Sequence, residues 1–95
     1  MKKKIINFIK LNNLTFERGR RNTDSTILSG YALHLGIIDV EELIAITEEY
    51  RKTLPKDSNH FFDYIDELKR VFVYACDNNY GEFWNTEGAK SSYTF

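Results

Sequence analysis

A single cysteine, Cys76, rules out an internal disulfide, and with only His34 and His60 beside it the sequence offers no zinc-ligand spacing. No metal and no cofactor is implied, and a reducing compartment is expected. No apolar run approaches the roughly 20 residues that span a bilayer. The opening "MKKKIINFIKLNN" has a basic flank but lacks the long apolar centre and small cleavage-site residues of a secretion signal. These absences lead us to expect a soluble, unsecreted, cytoplasmic protein with no membrane partner. Repeats, linkers and low-complexity segments are missing too, so residues 1–95 read as one domain with a modest core.

The enzymatic signatures are absent as well. There is no Gly-rich phosphate loop ending in Lys-Ser or Lys-Thr, no G-x-S-x-G elbow and no H-E-x-x-H pair. Cys76 and His60 fall on what reads as one helix, roughly 24 Å apart at 1.5 Å per residue, too far for a nucleophile and its base. His34 reads as a satisfied, partly buried residue near a helix C-terminus. We therefore expect no catalysis and no catalytic residues.

What is present is helical periodicity. Ile5, Ile6, Phe8, Ile9, Leu11 and Leu14 supply the buried face of a first helix over about residues 2–12, ended by Asn12-Asn13. Asn22, Thr23 or Asp24 can cap a second helix carrying Ile27, Leu28, Tyr31, Ala32 and Leu35 up to Gly36. Ser29-Gly30 within it costs about 1 kcal/mol in propensity, which a neighbouring helix passing close by would justify. Asp39 and Glu42 make a capping-box pattern for a third helix with Val40, Leu43, Ile44, Thr47, Tyr50 and Leu54 inside. Pro55 and "PKDSN" stop that helix.

Asn59 can cap a fourth helix to about Asn78, with Phe61, Tyr64, Ile65, Leu68, Phe72, Ala75 and Cys76 inward and Asp63, Asp66, Glu67, Lys69 and Arg70 outward. The tail, residues 82–95, holds Phe83, Trp84, Tyr93 and Phe95 without a period. It either folds back over the bundle, the arrangement favoured for Trp84, or stays free for a partner. The expected fold is all-α, a compact bundle of about four helices with an irregular aromatic C-terminal tail.

Charge is unevenly distributed. Residues 1–21 carry Lys2, Lys3, Lys4, Lys10, Arg18, Arg20 and Arg21 against Glu17 alone, while residues 22–95 carry 6 basic and 13 acidic residues. In "RGRRN", guanidinium forks, a permissive Gly19 and the free N–H groups of a starting helix suit one task, holding phosphate. The competing account pairs Arg21 with Asp24 or with an acid of the third helix, so that the cluster organises the loop and binds nothing.

The stretch "ERGRRNTDSTILSGYALHLGIIDVEELIAITEEYRKTLPKDSNHFFDYIDELKRVFVYA", about residues 17–75, resembles the small PriCT-type (primase C-terminal) helical domain of primase and replication proteins of plasmids, phages and other mobile elements. Gly19, Arg21 and Asn22 match the family's G-x-R-N opening, Gly36 its helix break and "DVEEL" its acidic-capped element. The resemblance implies an accessory module that helps engage a DNA template during primer synthesis, with chemistry supplied by a primase, polymerase or helicase chain.

The leading expectation is thus a nucleic-acid-binding domain. Lys2, Lys3, Lys4, Lys10, Arg18, Gly19, Arg20, Arg21 and Asn22 form its interface with single-stranded or primer-template DNA, and Phe16 or Trp84 stacks on an unpaired base. The alternative is a small adaptor or inhibitor, conceivable as a homodimer, docking on a protein through its acidic helices or aromatic tail. A helix-turn-helix repressor fits less well, because the candidate recognition helices are acidic on their solvent faces.

Overall fold

A computed structural model describes all residues, 1–95, and contains helices and no strand. Four long helices follow in order: α1 (Lys2–Leu11), α2 (Arg21–His34), α3 (Val40–Arg51) and α4 (Ile65–Asp77). The tail adds a 3-10 helix (Tyr80–Asn85) and a short α5 (Glu87–Ser92), so it is helical where the sequence showed no period. No helix is long and apolar enough to cross a membrane.

α2 is the central helix. It packs along α4 on one side and the 3-10 helix on the other, while α1 contacts α3 and α2. Its fully buried Ser25, Ser29 and Ala32 are small enough to let these neighbours close in. Gly30 has a sharper reason. A Cβ there would stand 2.8 Å from Trp84 Nε1 and 3.2 Å from the Tyr80 carbonyl oxygen, so the close neighbour is the 3-10 helix of the tail.

The tail is core. Trp84 is 3% exposed and Ala89 fully buried. Phe8 stacks on Tyr31 with centroids 3.9 Å apart, and Trp84 meets both rings edge-on at 5.2 and 5.4 Å. Asn12, the residue closing α1, then clamps the chain end: its amide donates to the Thr94 carbonyl at 2.7 Å and its Oδ1 accepts from the Thr94 N–H at 2.8 Å. The radius of gyration, 12.4 Å, equals what a fully compacted chain of this length gives, about 12 Å, and leaves no room for a detached tail.

Local boundaries depart from the expectation in three places. α2 begins at Arg21 with Arg20 as N-cap and no side-chain cap, rather than on Asn22, Thr23 or Asp24. α4 begins at Ile65 and not after Asn59, because Phe61 and Asp63 take left-handed φ values of 59° and 47° that a helix cannot continue through. Leu11 and Cys76 are exposed, not inward, and so is His34. At α3 Asp39 is the N-cap, as expected, its Oδ1 accepting from the Glu41 N–H at 2.9 Å, but the Glu42 side chain makes no return bond, so the capping box is not formed.

The loop between α1 and α2 is fastened by one carboxylate. Asp24, fully buried in the first turn of α2, accepts the N–H groups of Thr15 and Phe16 through Oδ2, both at 3.0 Å, and the Arg20 guanidinium through Oδ1 at 3.0 Å. The carbonyls of the same two residues accept from Phe61 N–H (2.8 Å) and Phe62 N–H (3.1 Å) in the loop before α4. All four backbone groups of a buried dipeptide are thereby satisfied.

Two substitutions test this account. Asp24→Ala orphans two buried N–H groups, and urea denaturation should register a loss of about 3 kcal/mol or more. Gly30→Ala, ordinarily stabilising inside a helix, should instead cost about 1–3 kcal/mol, because the methyl overlaps Trp84 and Tyr80. A gain in denaturation midpoint for Gly30→Ala would contradict the packing described.

Candidate nucleic-acid interface

The two loops that meet beside Asp24 determine which aromatics are hidden. Phe16, with a left-handed φ of 53°, and Phe61 turn inward and stack at 5.0 Å, with Tyr64 edge-on to both. The next residue, Phe62, is forced outward and is 41% exposed. The Arg18 guanidinium lies 4.7 Å from its ring centroid and that of Arg21 5.8 Å. A guanidinium near an aromatic ring is favourable, and it leaves both groups at the surface. Gly19 holds the intervening turn at φ +90° with open space around it, a conformation that side chains resist.

Each remaining member of the basic cluster has a partner. Arg20 pairs with Asp24, the acid that the competing account had assigned to Arg21. Arg21 donates to the Asp63 carbonyl at 3.0 Å, with the Asp63 carboxylate 3.9 Å away. Asn22 does not cap α2; its amide donates to Glu67 at 3.0 Å, and Glu67 also takes Arg70. These hydrogen bonds tie the start of α2 to the start of α4. Asn22 and Arg70 together hold the Glu67 carboxyl below the usual carboxylate range.

The lysines do not join the arginines. Lys2 pairs with Glu49 of α3 at 3.0 Å, Lys10 lies 5.7 Å from the Tyr50 ring, and Lys3 is exposed. Lys4 lines a groove with Tyr31, His34 and Leu35, at the far end of α2 from Arg21. Thirteen residues of α-helix separate those ends by roughly 20 Å. The +6 segment of the sequence is not one site in space.

Both base-stacking candidates are corrected here. Phe16 is fully buried and Trp84 is 3% exposed, each inside the core, so neither can meet a base. Phe62 is the exposed aromatic beside the arginine cluster, and it was missed because a helix from Asn59 would have placed it on a polar face. Its signal in the sequence was that very misplacement, a phenylalanine standing outside the apolar stripe beside Asp63.

Elsewhere, Cys76 and His34 line a shared cavity of about 400 Å³ with Glu82 and Asn79, while His60 lies in the loop before α4 and not on a helix with Cys76. Partial desolvation at the cavity wall, aided by Asp77, pushes the thiol of the exposed Cys76 up, the reverse of an activated nucleophile. Compared with family models, with curated proteins and with solved structures, the chain matches none.

The carboxylates imply a pH response. Glu48, lowered chiefly by the Arg51 fork and also by the Tyr64 hydroxyl that donates to it at 2.7 Å, behaves like Glu67. A depressed folded pKa contributes stability above the unfolded value, about 4.3, and loses it as pH falls through the folded value. The melting temperature should therefore drop between about pH 5 and pH 3, and Glu67→Gln should start lower at neutral pH and fall less steeply. An equally steep fall in the variant would show that Glu67 is not among the groups responsible.

Proposed function

We propose that the protein is a non-catalytic nucleic-acid-binding module whose contact surface is centred on Phe62. The observation that carries this reading is an exposed phenyl ring with two guanidinium groups beside it, 4.7 and 5.8 Å from its centroid. Proteins that bind single strands use aromatic platforms flanked by cations, each stacked base contributing about 1–3 kcal/mol. Arg18, which forms no ion pair within the chain, is the cation beside the stacked base, and Arg21, at the start of α2, supports the ring.

The resemblance of residues 17–75 to the primase C-terminal module supports a DNA template as the strand. It also supports a mobile-element replication complex as the setting, with a primase, polymerase or helicase chain supplying the chemistry. On this reading Gly19, Arg21 and Asn22 shape the platform, and the lysines of α1 add a remote, weaker charge.

One feature favours a second reading. Val73 and Tyr74 stand on the outer side of α4, 58% and 57% exposed, one turn after Lys69 and Arg70. An adaptor or homodimer would use that face, since Trp84 of the tail is committed to the core.

Fluorescence anisotropy with a labelled single-stranded DNA separates the two. Phe62→Ala and Arg18→Ala should each weaken binding at least about fivefold, and the double variant should abolish it. Lys3→Ala/Lys4→Ala should have the smaller effect. Binding that is indifferent to Phe62 and Arg18 would refute the reading, and a lack of binding at low salt would move the function to the face of α4.

A further inference from the structure

The ring of Phe62 is one wall of an open cavity of about 390 Å³ whose other lining residues are Glu17, Arg18 and Asn59. The hydrogen-bonding groups around this cavity differ from those next to it. Arg20, Arg21 and Asn22 are engaged with Asp24, Asp63 and Glu67. Glu17, although surrounded in sequence by three arginines, forms an ion pair with none of them. Asn59 and Arg18 likewise keep their side-chain donors free of protein acceptors, Arg18 touching only the Phe62 ring. An acceptor-only carboxylate, a donor-only guanidinium and an amide that does both thus line one space beside a bare aromatic ring.

These groups select among bases. Guanine alone presents two adjacent donors, N1–H and N2–H, on its pairing edge, which match the two oxygens of a carboxylate. Its neighbouring major-groove edge presents O6 and N7, two acceptors that match a guanidinium fork. Adenine and cytosine each place an acceptor beside their amino group, and thymine and uracil place a carbonyl on either side of N3–H, so a carboxylate meets a lone pair on all of them. In a duplex the N1–H and N2–H of guanine are already bonded to cytosine.

Resting on the nucleic-acid reading above, we propose that this cavity binds an unpaired guanine base, stacked on Phe62 with Glu17 accepting from its N1–H and N2–H and Arg18 donating to its major-groove edge. Asn59 donates to or accepts from whichever edge atom remains. The module then prefers a strand with an exposed guanine over one without.

The test is anisotropy with labelled ten-nucleotide thymidine strands carrying at the centre either guanine, hypoxanthine (guanine without the N2 amino group), adenine or thymine. The guanine strand should bind about tenfold tighter than the thymine strand, and hypoxanthine should lose most of that advantage. Glu17→Gln, nearly isosteric and without an internal partner to lose, should erase the difference between guanine and hypoxanthine, and Asn59→Ala should reduce it. Equal affinity for all four strands, still weakened by Phe62→Ala, would overturn the guanine pocket and leave the platform standing. No binding to any strand would overturn both. A guanine preference that survives Glu17→Gln unchanged would overturn the recognition described.

Discussion

The buried carboxylate of Asp24 is the constraint on which the rest of this structure depends. A lone carboxylate removed from water is costly, and this one is fully buried. Two backbone N–H groups, the Arg20 guanidinium and the positive end of α2 together make its charge tolerable. The geometry follows from that satisfaction. Because Thr15 and Phe16 must present their N–H groups to Asp24, their carbonyls face the loop before α4 and receive Phe61 and Phe62 there. One acid therefore fixes the exit from α1, the start of α2 and the approach to α4.

A second fastening closes the opposite side. The tail brings Trp84 against Gly30, and the Asn12–Thr94 hydrogen bonds hold the last residues over the Phe8–Tyr31 stack. Aromatic rings that a sequence reading could offer to a partner are here the filling between α1 and α2. Burying them offsets the small core expected of a 95-residue chain. Phe62, the exposed aromatic beside the arginines, lies at the other end of α2.

Much of the fold was legible because the long helices follow the rules that make helices readable. The apolar spacing of α2 and the Asp39 cap of α3 locate those elements to within a residue or two. The start of α4 was not legible, because Phe61, Tyr64, Ile65 and Leu68 keep a helical spacing although Phe61 lies in a turn. Spacing records which residues face inward and does not record the left-handed φ that interrupts the helix. The tail was half legible: the cost of an exposed indole argued for fold-back, but nothing in "EFWNTEGAKSSYTF" has the length to announce two short helices. The site suffered most. Sequence proximity gathered seven cations that the fold spreads apart, Lys2 and Lys10 against α3 and Lys4 near the end of α2 far from the arginines, and it could not foresee that Arg20, Arg21 and Asn22 each meet an acceptor from the chain itself.

That internal engagement decides what kind of binding this edge can support. Along it, Arg18, Arg20 and Arg21 lie among Glu17, Asp24, Asp63 and Glu67, so the local field is close to neutral and counterion release can contribute only one or two phosphates' worth of affinity. A duplex presents a continuous row of phosphates to any surface, and Asp63, Asp66 and Glu67 at the start of α4 oppose it. A single strand can instead turn a base toward the protein and its phosphates away. With most of the charge neutralised from within, a bare ring flanked by guanidinium groups favours the face of a base over the backbone that carries it.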